Sequence, residues 1–175
     1  MKFDETPLLG AYLIDLQPIE DTRGFFARAF CRREFEERRL HPVIAQCNMS
    51  FNSVCGTLRG MHYQVEPARE VKIIRCIAGA IFDAIIDLRS DSSTYRRWFG
   101  VELSALNRRA LYVPTGFAHG YLTLSDNSEI HYMVSEFYSP THERGIRWND
   151  PTFAIEWPMA PRVISEKDAG HPDFV

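Results

Sequence analysis

A chain of 175 residues, 45% hydrophobic and 25% charged, has the length and composition of one globular domain (1–175) with a sizeable apolar core. Its formal net charge of −3 gives no reason to expect nucleic acid as a partner, and it lacks the run of about 18 apolar residues needed to span a membrane. Cys31, Cys47, Cys55 and Cys76 form no CxxC pair in a chain too large to need staples, so a reduced, cytoplasmic protein is the simplest expectation.

The first segment, 1–16, carries acids early and has no small-residue cleavage site, unlike a signal peptide. The one helix signal runs from Arg32 to Arg39, short and charged, with Phe35 as its apolar contact. Strand formers dominate afterwards, in 71–77, 80–88, 98–103 and the half-alternating 129–137. Turn signals separate them at Ala78-Gly79, Asp91 to Thr94, Leu106 to Arg109 and Ser125-Asp126-Asn127. This pattern predicts an all-β fold, a sandwich or barrel with a short helix. The Pro-rich tail, 157–175, is expected to pack on the outside or to close an opening.

Alternation assigns faces. Ile130, Tyr132 and Val134 share one side of their strand, and Glu129, His131 and Ser135 the other, which sends Tyr132 inward. A buried tyrosine hydroxyl needs a partner, either a backbone carbonyl or a ligand. Asp83 and Asp87 share a face with Ile81 and Ile85, so each enters the interior or sits at a solvated edge. Strict alternation separates Arg59 from His62. Gly60 between them tolerates a bulge that would bring both to one pocket.

Two segments carry the chemistry, 56–64 (GTLRGMHYQ) followed by Lys72 and Gly79, and 111–120 (LYVPTGFAHG). Their spacing resembles the two motifs of the cupin barrels: Gly56, His62, Lys72 and Gly79 fill the first frame, and Pro114, Gly116 and His119 the second. A metal-binding cupin brings about three histidines and a carboxylate to its ion. Here Gln64 takes the second histidine position and Lys72 that of the acid, and an ammonium has no lone pair to donate. His62 and His119 alone hold a metal poorly. The expectation is a site without a metal, given over to acid–base chemistry.

DTRGFF (21–26), QCNMSFN (46–52), GTLRGMHYQ, DLRSDSSTY (87–95), VPTGFAHGY (113–121), ERGIRWNDP (143–151) and ISEKD (164–168) together resemble the dTDP-4-dehydrorhamnose 3,5-epimerase family across nearly the whole chain. The resemblance implies a cupin-type jelly-roll barrel and a homodimer. It also implies inversion of C3 and C5 on a nucleoside-diphosphate-linked 4-keto-6-deoxy sugar through an enolate, without a cofactor. It makes His62 the base, Asp168 its partner, Lys72 the cation at the ketone oxygen and Tyr132 the acid on the opposite face. It puts Arg23, Gln46, Asn48, Arg59, Tyr138, Glu143 and Lys167 against the substrate, while His119 is either a substrate contact or a hydrogen-bond donor to a group that is. The chain departs from the family at Arg28, where a glutamate is common, and in a 46–56 segment one residue longer. Both departures fall on the nucleotide side. A single-carbon epimerase of a CDP- or GDP-linked keto sugar and a non-catalytic sugar-binding cupin are the alternatives. A metal-dependent isomerase or oxygenase is a third, and stoichiometric metal would mark it.

Overall fold

The structure, a computed structural model, describes residues 1–174. Its early elements are β1 (Lys2–Glu5), β2 (Tyr12–Asp15), β3 (Ile19–Asp21), β4 (Gly24–Phe26) and α1 (Arg32–Glu37). The middle of the chain forms β5 (Gln46–Asn52), β6 (Thr57–Gln64), β7 (Lys72–Ala78), β8 (Ala80–Asp87), β9 (Trp98–Ser104) and β10 (Ala110–Val113). β11 (Phe117–Thr123), β12 (Ser128–Val134), β13 (Glu143–Gly145), β14 (Val163–Ile164) and α2 (Glu166–Ala169) follow. The expected strands are all present, with 129–137 cut short at Val134. The helix stops at Glu37 rather than Arg39, where the backbone has already turned left-handed at φ 57°.

Two sheets face each other as a cupin-type sandwich. One has the order β1-β2-β10-β7-β12-β5; the other runs β13-β6-β11-β8-β9, with β14 added alongside β6. The facing surfaces meet in a core of Ile74, Cys76, Leu111 and Ile130 from the first sheet against Ile81, Ile85, Leu103 and Phe117 from the second. Each outer face is covered as well. α1 buries Phe35 completely beside Phe3 and Tyr112 on the first sheet and Phe30 just before the helix, with ring centroids 4.9–5.9 Å away. The chain after β13 lays Ile146, Phe153, Ile155 and Trp157 over Met61, Ala84, Ile86 and Ala118 on the second. β8 is therefore buried on both sides, which explains its nearly continuous apolar sequence.

That double burial corrects one expectation. Neither Asp83 nor Asp87 is a solvated edge residue; both are fully buried. Asp87 accepts hydrogen bonds from Arg89, Ser92 and Thr94 and thereby ties down the loop after β8. Those bonds more than offset burial and bring its pKa down to about 2. The tail does both things expected of it. Arg162 and Val163 donate backbone N–H groups to Gly56 O, β14 pairs parallel with β6 at Thr57 and Leu58, and α2 arrives over the open end of the sandwich.

Candidate active site

The geometry of the site begins with a bulge. His62 pairs with His119 and Arg59 with Tyr121, so Gly60 and Met61 on β6 face Gly120 alone on β11. The extra residue shifts the alternation by one step. Met61 packs outward under Ile146, while Arg59 and His62 both look into the sandwich. Only glycine fits at 60: its φ is 125°, and a Cβ would stand 2.5 Å from Gly120 Cα and 2.9 Å from His119 O.

The hollow between the sheets has a volume of about 310 Å³ and is lined by Arg59, His62, Lys72, His119, Tyr132 and Asp168, among others. A second chamber of about 170 Å³ adjoins it and shares His62, Lys72 and Tyr132. Asn48, Glu70, Tyr138 and Glu143 belong to this second chamber.

Asp168 reaches His62 because Ser165 caps α2, accepting a hydrogen bond from Asp168 N at 3.1 Å. Asp168 Oδ1 lies 2.7 Å from His62 Nε2, and Oδ2 accepts from Gly60 N at 3.1 Å. Burial works against the charge on Asp168, but the hydrogen bond and positive charge of His62 and the Gly60 N–H outweigh it, so its pKa is lowered. A second imidazole–carboxylate pair sits on the neighbouring strands, His119 Nε2 to Asp83 Oδ2 at 3.0 Å. Lys72 Nζ is 3.2 Å from Glu70 Oε1, a largely buried ion pair. Burial first, and Glu70 second, raise the pKa of Tyr132, so its phenol holds its proton at neutral pH.

At the rim, Glu143 accepts from Tyr138 Oη at 2.9 Å and from Lys167 Nζ at 2.5 Å. Gln46 lines neither chamber; its side-chain carbonyl accepts from Tyr138 N at 3.0 Å and so braces a rim residue. Arg59 is held by Asn52 Oδ1 at 2.8 Å. Arg23 is the exception. It projects from the exposed β3–β4 hairpin, 87% of its side chain in solvent, paired with Asp21 and away from the hollow of its own chain. Arg28, just past the same hairpin, is exposed too.

Several neighbours of the site escaped the sequence. Glu70 sits two residues before Lys72 and Ser165 in the polar tail, neither with a pattern of its own. His171 lies T-shaped against His62, with ring centroids 5.7 Å apart. His62, Asp168 and His171 together bring ligand atoms within 4.8 Å of one another, a grouping the two-histidine count did not foresee.

Residues 5–175 match the family model described as dTDP-4-dehydrorhamnose 3,5-epimerase. A Shigella flexneri dTDP-4-dehydrorhamnose 3,5-epimerase is 42% identical over 176 residues, covering 100% of this chain and 97% of its own. The crystal structure of the Bacillus anthracis enzyme of that name, with TDP and PPi bound, superposes with a TM-score of 0.95 at 40% identity, covering 99% of both chains. The structure of a dTDP-6-deoxy-D-glucose-3,5-epimerase from Legionella pneumophila, in complex with dTDP-4-keto-L-rhamnose, gives 0.90 at 35%, covering 97% of this chain and 90% of that one.

Proposed function

Because the chain belongs to the dTDP-4-dehydrorhamnose 3,5-epimerase family, and is thus an isomerase, we propose that it converts dTDP-4-dehydro-6-deoxy-D-glucose to dTDP-4-dehydro-L-rhamnose with His62 as the base. The observation that carries this reading is the 2.7 Å contact between His62 and Asp168 in a hollow lined also by Lys72 and Tyr132. A proton beside a ketone is weakly acidic, and its removal needs a base able to work near neutral pH. His62 takes it, and Asp168 orients the ring and stabilises the imidazolium. Charge moves to the ketone oxygen, where the Lys72 ammonium offsets it. Tyr132, still protonated, returns a proton from the opposite face, which inverts the carbon. The same sequence serves C3 and C5 once the imidazolium has lost its proton to solvent and the phenolate has regained one. These four groups supply base, orienter, cation and acid, so the reading calls for no cofactor.

Arg59 and His119 hold the sugar and first phosphate, while Asn48, Tyr138, Glu143 and Lys167 hold the nucleotide end, with Gln46 acting through Tyr138. The whole of 1–175 works as one domain in a cytoplasmic homodimer of the dTDP-rhamnose pathway. Exposed Ile19, Phe25 and Phe26 on the hairpin, and Met49 and Phe51 on edge strand β5, supply apolar surface for that dimer.

Proton NMR in heavy water with dTDP-4-dehydro-6-deoxyglucose tests the chemistry. The C3 and C5 proton signals should disappear as deuterium enters, and His62→Ala should stop this while nucleotide affinity stays within a few fold. A wild type that incorporates no deuterium would leave a sugar-binding module without catalysis.

A further inference from the structure

The tail delivers a histidine that the proton chemistry does not use. His171 Nε2 lies 3.7 Å from Asp168 Oδ1, the oxygen that His62 Nε2 meets at 2.7 Å. Only 13% of the His171 side chain is exposed, and its buried Nε2 meets no hydrogen-bond partner among the described residues. Buried ring nitrogens are seldom left unpaired, and a water or a bound ion serves as partner where the chain supplies none. The ring is also held in place. Gly145 packs so closely that a Cβ there would collide with it. Arg147 N donates to Pro172 O at 3.2 Å, Arg147 pairs with Asp173 at 2.7 Å, and Phe174 N donates to Asp150 at 2.5 Å.

Two imidazoles and a carboxylate form a donor set for a borderline-soft divalent ion. Bonds of about 2.0–2.1 Å from metal to ligand set neighbouring ligand atoms roughly 3.0–3.4 Å apart. The separations of 2.7 Å and 3.7 Å fall on either side of that window and all three ligand atoms lie within 4.8 Å of one another, so a modest closing of the two rings around Asp168 would seat an ion. The cations nearby are already matched, Lys167 by Glu143 and Lys72 by Glu70. This is not the site of a metal cupin, whose acid position holds Lys72. The carboxylate here comes from α2 and the second imidazole from beyond it.

We propose that His62, Asp168 and His171 form an inhibitory zinc site at the edge of the hollow, in which the ion takes His62 Nε2, leaves the ring's one proton on Nδ1 and so silences the base. The inhibition, though not the binding, rests on His62 being that base.

Zinc chloride titrated into the full chain by calorimetry, alongside turnover at the same zinc concentrations, tests this. One ion should bind per chain, with inhibition following occupancy. His171→Ala should keep its zinc-free turnover while zinc affinity and inhibition both weaken at least tenfold, by about the factor that loss of a metal-supporting group brings. Zinc held by exposed Cys47 would survive that change and so is separable. Equal affinity in both proteins, or binding without inhibition, would overturn the proposal. Imidazole NMR of the wild type probes the same three groups without a variant. Zinc should move the His62 and His171 resonances together, and if it moves neither the site does not exist. A chain with no turnover even without zinc would sink the epimerase reading, while calorimetry and NMR still decide the site.

Discussion

Tyr132 and Lys72 line the same two chambers as His62, yet in the proposed reaction they act at separable moments. Removing the phenol should spare proton abstraction. Tyr132→Phe is therefore expected to exchange substrate protons with heavy water at near the normal rate while inverted product falls by about 10²-fold or more. Lys72→Ala should behave differently: without the cation the enolate itself is harder to form, so exchange and inversion should fall together by about 10²–10³-fold. Equal losses in both variants would remove Tyr132 from the acid's role. The sequence made these positions legible for different reasons. His62 and Lys72 stood in a spaced motif, and alternation alone turned Tyr132 inward. Asp168 rested on resemblance, because a polar tail has no period to read. Glu70 and His171 were invisible for the same physical reason: their places depend on where a distant segment packs, not on their own neighbours in sequence.

At the level of the strand, the bulge in β6 is what lets one element present both Arg59 and His62. Gly60 meets backbone atoms of β11 where a side chain would go, and backbone cannot swing aside. Its N–H also supports Asp168. Gly60→Ala should thus cost about 3 kcal/mol or more, read as a lower urea midpoint. Any folded fraction should turn over substrate more slowly than its stability alone explains, because His62 and Asp168 shift together. An unchanged midpoint would mean that the bulge relaxes at little cost. The strands were legible because β7, β8, β9 and β12 are dense in apolar and β-branched residues bounded by turn signals. Their ends, and the early stop of α1 before Arg39, were less so, since a strand ends where its partner does. The burial of Asp83 and Asp87 was not legible either. Whether an inward acid is solvated depends on what packs against it, and here the facing sheet closes over Asp83 beside Ile81, Ile85 and His119 while the loop after β8 closes over Asp87.

At the scale of the whole molecule, Arg23 is an expected substrate contact that projects into solvent, away from the hollow of its own chain. It sits on a hairpin whose apolar residues Ile19, Phe25 and Phe26 are 45–70% exposed, surface that a dimer would cover. If the hairpin reaches into the second protomer's hollow, each site is built from two chains, and the defect of an Arg23 variant lies in its partner's site. Complementation separates the cases. Arg23→Ala and His62→Ala should each be nearly inactive alone. Mixed after denaturation and refolded together, half of the dimers are heterodimers, each with one site that has His62 from one chain and Arg23 from the other. Activity should then recover to about a quarter of the wild-type value. An arginine serving its own chain predicts no recovery, because every site in the mixture would lack one group or the other. An Arg23→Ala protein with full activity would remove Arg23 from the substrate contacts and leave its ion pair with Asp21 as its only role.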